Sequence, residues 1–291
     1  MSCCDKSSKC CDPKTDTINI NDTNTKESSD LKETVKEGYS KIAKQTKKEN
    51  EYSLCGITGG CSADYSIFAE DYTKLEGYLE NADLALGCGV PTSAVKINEG
   101  NVVLDLGCGA GNDCFIARSM VGNSGKVIGL DITPEMLKMA WKNTDKTGYN
   151  NVEFRFGDIE DMPVSDNVVD VVISNCVLNL VPNKLKAFQE IQRVLKPKGI
   201  FSISDIVITK ELPEKMRKAA GMYVGCVSGA IIKDEYLKMA QNCGFNTSVI
   251  KEKEIKIPEK IMLEYLDEEA LKKYVESGTK ILSITVVGQK I

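Results

Sequence analysis

The sequence predicts an α/β protein built on a doubly wound, mostly parallel sheet, preceded by a disordered N-terminal tail and followed by a small C-terminal region. Three observations carry that expectation. Short apolar runs alternate with helix-length segments from Val102 to Ile206, and strands joined by connections of that length pair in parallel through right-handed crossovers that cover both faces of the sheet. A glycine-rich turn, Gly107-Cys108-Gly109-Ala110-Gly111, ends the first run and opens a helix, at the place where open parallel sheets bind ligands. The first thirty residues are mostly polar, rich in Ser, Thr, Asn, Asp and Lys, and bury too little apolar surface to offset the entropy of ordering.

Taken in order, Leu31 to Gln45 suits a helix, and Glu51 to Tyr65, rich in glycine and bearing cysteines, suits a loop or flap. Regular order is expected from about Glu70. Val102 to Leu106 reads as a strand, Asp113 to Val121 as a helix and Lys126 to Asp131 as a second strand. Thr133-Pro134 then opens a helix over Glu135 to Lys146, proline being favoured at a first helical position. Val152 to Phe156 and Val168 to Ser174 are strands, Lys184 to Leu195 a helix, Lys196 to Gly199 a turn, and Ile200 to Ile206 a fifth strand. Beyond Lys210 come helices at Pro213 to Tyr223 and Lys233 to Asn242, with strand-like stretches at Asn246 to Ile257 and Lys280 to Val287 that extend the sheet in part. The expected division is a tail over 1–30, a helix and flap over 31–69, the sheet domain over 70–210 and a C-terminal region over 211–291.

Composition narrows the chemistry. With 37 basic and 42 acidic residues and a net charge of -5, the chain has no basic stripe to neutralise phosphates, so no nucleic-acid partner is expected. It has no apolar run of the roughly 18 residues that a membrane-spanning helix needs and no signal-peptide core, so a cytoplasmic location and no membrane are expected. Histidine is absent, which excludes Ser-His-Asp and Cys-His catalysis and imidazole-bound zinc. Twelve cysteines stand against that absence. In a reducing compartment they read as thiols for metal, metalloid or redox work, more than as a structural disulfide frame. Cys108 reads as a small filler, and Cys114 and Cys243 as core residues. The tail pairs Cys3-Cys4 and Cys10-Cys11 are either metal scavengers or decoration.

The glycine turn admits two readings. A dinucleotide fingerprint needs a small residue where Asn112 stands, and Asp105 would face a pyrophosphate. A cationic ligand without phosphate, such as S-adenosylmethionine, suits Asp105 and the loop glycines Gly107, Gly109 and Gly111 better. Asp131, about 20 residues on, fits a carboxylate that accepts ribose hydroxyls. Gly157-Asp158-Ile159-Glu160 closes the third strand where an adenine amino group is received. From Val102 to Val207 these residues resemble the class I adenosylmethionine-dependent methyltransferases. The resemblance implies their Rossmann-like sheet and a cofactor site that includes Ile132, Met136, Ile159, Glu160 and Asn175.

The acceptor is read from the thiols. Cys176 follows the fourth strand, while Cys88 and Cys226 have glycine neighbours that leave room for a bulky soft ligand. A trivalent metalloid bound by thiolates keeps a lone pair, and attack through a lone pair needs no general base. The segments Gly87-Cys88-Gly89, Ser174-Asn175-Cys176-Val177-x-Asn179-Leu180-x-Pro182 and Gly225-Cys226-x-x-Gly229-Ala230 are similar to the three cysteine motifs of arsenite methyltransferases. That likeness implies Cys88, Cys176 and Cys226 as arsenic(III) ligands and Asn175 beside the cofactor. It also implies a relay cysteine, Cys55 or Cys61, on the N-terminal segment, a thiol reductant such as glutathione or thioredoxin as co-substrate, and arsenite or its thiol complex as substrate of a monomer. The C-terminal region is then a substrate-binding one. Two other readings remain: methylation of a quinone or sterol ring with Asp or Tyr as base, and a non-catalytic thiol protein that binds metalloids.

Overall fold

The computed structural model describes residues 21–45, 50, 70–217 and 227–291. Cys3, Cys4, Cys10, Cys11, Cys55, Cys61 and Cys226 lie outside them, as do the whole of the expected flap over Glu51 to Tyr65 and the end of the helix expected over Pro213 to Tyr223.

The first helix, α1 (Asn21–Ile42), starts ten residues earlier than its apolar pattern predicts and takes in part of the expected tail. Its second half is docked: Ser40 donates to Glu135 at 2.8 Å, and Lys32 bonds Asp158 and Glu160. Once docking has nucleated a helix, each added residue costs little.

The sheet follows as β1 (Val102–Leu106), α2 (Asn112–Val121), β2 (Lys126–Asp131), α3 (Pro134–Thr147), β3 (Val152–Phe156), β4 (Val169–Asn175), α4 (Lys184–Val194) and β5 (Leu195–Ile208). Short helices α5 (Glu214–Arg217) and α7 (Glu259–Met262), the longer α6 (Lys233–Asn242) and α8 (Glu268–Ser277), and strands β6 (Phe245–Ile255) and β7 (Ile281–Lys290) complete the described elements. Seven strands lie in the order β3-β2-β1-β4-β5-β7-β6. β1 to β5 are parallel, and β7 runs antiparallel between β5 and β6. The last two strands therefore join the same sheet as the first five.

The expected turn at Lys196 to Gly199 proves to be a bulge inside β5. Across it β4 advances from Val169 to Val171 while β5 advances from Leu195 to Ile200, with Lys198 at φ 64° taking up the slack. Ladder bonds on both sides keep the segment in the strand.

Helices cover both faces. On one, Phe188 of α4 packs edge-on to Tyr236 of α6, and Phe201 packs edge-on to Phe245. On the other, Phe115 of α2 and Met136 of α3 are fully buried beside Phe154. Burying each such side chain contributes about 1.5–3 kcal/mol.

At the carboxyl end of β5, Asp205 is wholly buried. It accepts the Asn179 amide at 3.0 Å, the Ile206 amide at 3.0 Å and the Tyr236 hydroxyl at 3.1 Å, and burial pushes its carboxyl up to about 7. It ties α6 and the turn after β4 to the sheet. Asp205→Ala strands those donors and is expected to cost about 3 kcal/mol, read as a lower urea midpoint at unchanged slope.

Candidate active site

An open cleft of about 1160 Å³ lies beyond the carboxyl ends of β1, β2 and β4. Its floor is the glycine loop. The amides of Gly107 and Cys108 donate to the Leu130 carbonyl at 2.7 and 3.0 Å, folding the loop back on β2. Gly107 sits at φ 66°, and a Cβ there would come within 2.5 Å of Val177, so only glycine fits. Asp131 braces the loop from the side: its carboxylate accepts the Gly109 amide at 2.9 Å and the Thr133 amide at 2.8 Å.

The walls carry one sign of charge. Asp83, Asp105, Asp113, Asp131 and Asp158 line the cleft, and among the described residues the cation facing them is Lys32, bonded to Asp158 at 2.6 Å and to Glu160 at 2.8 Å. Burial raises the carboxyls of Asp105 and Asp131 above the usual carboxylate range and that of Asp113 to about 6, against the pull of hydrogen bonds from Asn175 and Tyr72. The second oxygen of Asp113 is buried and accepts no hydrogen bond among the described residues. A low-dielectric cleft lined in this way favours a cation and repels phosphate. Tyr39, Leu84, Ile132, Met136 and Ile159 add apolar surface.

The thiols stand at the far end. Cys176 leaves β4 at φ 58°, with its amide held by the Ser204 carbonyl at 2.8 Å, and lines the cleft. Behind it Cys88 is 2% exposed, and the two are joined as a disulfide with α-carbons 5.8 Å apart. Thiols alone were expected at these positions; side chains that converge on one point meet at bonding distance. The loop bearing Cys88 is clamped by Asn175, which accepts the Cys88 amide at 3.0 Å and donates to the Gly89 carbonyl at 2.9 Å. Gly87 allows this approach, since a Cβ would lie 2.6 Å from the Asn175 amide nitrogen.

A methyltransferase-domain family model matches residues 97–244, about half of the chain, taking in the loop, Cys176 and all the cleft carboxylates except Asp83. The chain belongs to that methyltransferase family. The chain is 37% identical over 264 residues to an arsenite methyltransferase of Halobacterium salinarum, covering 86% of this chain and 66% of that one. It is 36% identical over 188 residues to an arsenite methyltransferase of Aquipseudomonas alcaligenes, covering 62% and 54%. The crystal structure of an arsenic(III) S-adenosylmethionine methyltransferase from Chlamydomonas reinhardtii superposes with a TM-score of 0.59 at 32% identity, covering 69% and 66%. The chain thus spans about half to two thirds of the length of these relatives. The fold is the Rossmann-like α/β fold of methyltransferases.

The cleft gathers Asp105, Gly107 and Gly109, then Asp131, Ile132 and Met136, and finally Ile159, Asn175 and Cys176. It does not gather Gly111, which caps α2 against Phe115 and Phe154. Glu160 also lies off the wall: it accepts from Lys32 and from the Asn183 amide at 2.9 Å, leaving Asp158 to face the cleft. Cys226 is outside the described residues. Cys108 and Cys114 are buried free thiols; burial raises Cys108 to about 11 and Cys114 well above its usual value, which keeps both protonated and poorly reactive. Cys243, expected in the core, is only half-buried at the end of α6. Tyr72, Asp113 and Lys32 are site residues absent from the sequence reading. Asp113 had a signal, following the loop directly; Tyr72 and Lys32 come from segments with no motif. Gly87→Ala is expected to push Asn175 away and to lower the yield of the Cys88–Cys176 linked peptide several-fold in non-reducing peptide mapping, with helix content unchanged.

Proposed function

We propose that the cleft binds S-adenosylmethionine and that the protein transfers its methyl group to trivalent arsenic held by Cys88, Cys176 and Cys226. The observation that carries the reading is the position of Cys176: on the wall of a carboxylate-lined cleft and in bonding contact with Cys88. The similarity to arsenite methyltransferases supports the choice of arsenic.

The residues present fit that cofactor. The carboxylates of Asp105 and Asp113 on the cleft wall suit an ammonium. Asp131 keeps lone pairs for ribose hydroxyls beyond the two amides it accepts, and the apolar slot between Met136 and Ile159 suits an adenine. Bound there, adenosylmethionine supplies an electrophilic methyl on a sulfonium. The carboxylates hold the donor in place, and the thiolates hold arsenic. Three thiols condense with arsenite, three waters leave, and the arsenic lone pair stays free to attack. No proton is abstracted, so a chain without histidine lacks nothing for this step. Alignment of the two reactants is the main source of rate, worth up to about 7–11 kcal/mol.

The disulfide must open before arsenic binds. A dithiol, or two molecules of a monothiol such as glutathione, supplies the two electrons and is oxidised to its own disulfide; thioredoxin could do the same, with Cys55 or Cys61 as the relay. A reducing compartment such as the cytoplasm keeps the pair open.

Purified protein given arsenite, a thiol and methyl-labelled adenosylmethionine is expected to form labelled methylarsenicals, with Cys88→Ser and Cys176→Ser each lowering the rate by about a hundredfold or more, as when transition-state positioning is lost. Arsenite binding without label transfer would overturn the reading. Affinity for S-adenosylhomocysteine depends on ionised Asp113, whose carboxyl lies at about 6. The ligand's ammonium competes with the proton, so affinity should hold above that pH and weaken by up to about tenfold per unit below it. Calorimetry across pH 5 to 8 checks this, and Asp113→Asn should remove the slope.

A further inference from the structure

Between the cleft and the Cys88 loop lies a closed set of hydrogen bonds. The Asn175 amide nitrogen is 2.6 Å from the Tyr72 hydroxyl, 2.9 Å from the Gly89 carbonyl and 3.2 Å from Asp113 Oδ2. The Tyr72 hydroxyl reaches the same two acceptors, the Gly89 carbonyl at 2.6 Å and Asp113 Oδ2 at 3.3 Å. Both donors thus divide their protons between a carboxylate of the cleft and the backbone that carries Cys88. Tyr72 has one hydroxyl proton to give and the amide has two, so the acceptors compete. Asn175 also accepts the Cys88 amide, and Ser283 fixes the Cys88 carbonyl at 2.7 Å. Tyr72 is 5% exposed and Asp113 9%, so water does not relieve the competition.

We propose that Tyr72 and Asn175 are positioning residues that couple the occupancy of the cofactor cleft to the setting of the Cys88 thiol, so that methyl donor and thiophilic acceptor bind cooperatively. The inference rests on the reading of the cleft as the adenosylmethionine site. A cationic ammonium beside Asp113 in the cleft draws off part of the carboxylate's charge and weakens its hold on both donors. Their protons then pass to the Gly89 carbonyl, and the Cys88 loop is held more firmly. The sign is positive: the cofactor tightens the thiol cradle, and by reciprocity arsenic on the thiols tightens the cofactor.

The test measures arsenite bound by the reduced protein in equilibrium dialysis, alone, with S-adenosylhomocysteine, which keeps the ammonium but has no methyl to give, and with 5′-methylthioadenosine, which lacks the ammonium. S-adenosylhomocysteine is expected to raise arsenite affinity about tenfold, within the usual range of coupling between sites, and methylthioadenosine less than twofold. Tyr72→Phe, which keeps the ring, should reduce the tenfold gain to twofold or less while both ligands still bind. A gain equal in wild type and Tyr72→Phe, or none in wild type, overturns the coupling. A second readout needs no arsenic: the rate at which dithiothreitol opens the Cys88–Cys176 disulfide should fall several-fold with S-adenosylhomocysteine in wild type and change less than twofold in Tyr72→Phe. Equal slowing in both, as simple obstruction of the cleft would give, overturns the coupling. Slowing confined to wild type in a protein that binds no arsenite upholds the coupling while the arsenic reading fails.

Discussion

Three carboxylates withdrawn from water at the ends of the central strands set the terms for everything around them. Asp105, Asp113 and Asp131 are each less than a tenth exposed, and buried like charges are costly unless donors or a cation offset them. The protein offers donors: loop amides to Asp131, the Cys114 thiol to Asp105 at 3.2 Å, and Tyr72 with Asn175 to Asp113. These contacts fold the glycine loop, fix the start of α2 and pull the residue 72 segment across the mouth of the cleft. What they leave unmet is one oxygen of Asp113. The arrangement is therefore incomplete in a particular way, short of a positive charge at one point.

Where local pattern was enough, the sequence was read closely. β1, β2 and β3 have the expected bounds, and β4 and α2 start or end within one residue of expectation, because each strand is a short apolar or alternating run closed by turn residues. Asp105 and Asp131 were found for the same reason, each being the polar residue at or near a strand's carboxyl end. Position alone does not separate Asp158 from Glu160: they share a turn, Lys32, more than a hundred residues away in the chain, bonds both, and Glu160 also accepts the Asn183 amide while Asp158 lines the cleft. Tyr72 was invisible on similar grounds. Its partners are Gly89, Asp113 and Asn175, and no spacing in the sequence announces a meeting of four segments. The bulge in β5 was hidden too, since Lys-Pro-Lys-Gly has the composition of a turn and only pairing on both sides keeps it within a strand.

The cysteines divide by surroundings more than by count. Cys108 and Cys114 lie beneath the loop among apolar side chains and carboxylates, which hold them as neutral thiols. Cys88 and Cys176 are as well buried, yet they are set by backbone contacts that converge them at the rim of the cleft. Burial alone does not separate the two pairs in this protein: Cys88 and Cys176 are bonded to each other, with Cys176 on the cleft wall, while Cys108 and Cys114 are free thiols held neutral.

The antiparallel β7, wedged between β5 and β6, bears on how the molecule is made. It is synthesised after every other strand of the sheet, yet it supplies Ser283, which fastens the Cys88 carbonyl. Chains grow from the amino end and fold as they emerge, so the glycine loop and its carboxylates can assemble on the ribosome while the Cys88 cradle stays unfinished. A nascent chain thus carries Cys88 without this fastening until Ser283 has been added, and the final setting of Cys88 beside Cys176 follows the assembly of the parallel strands.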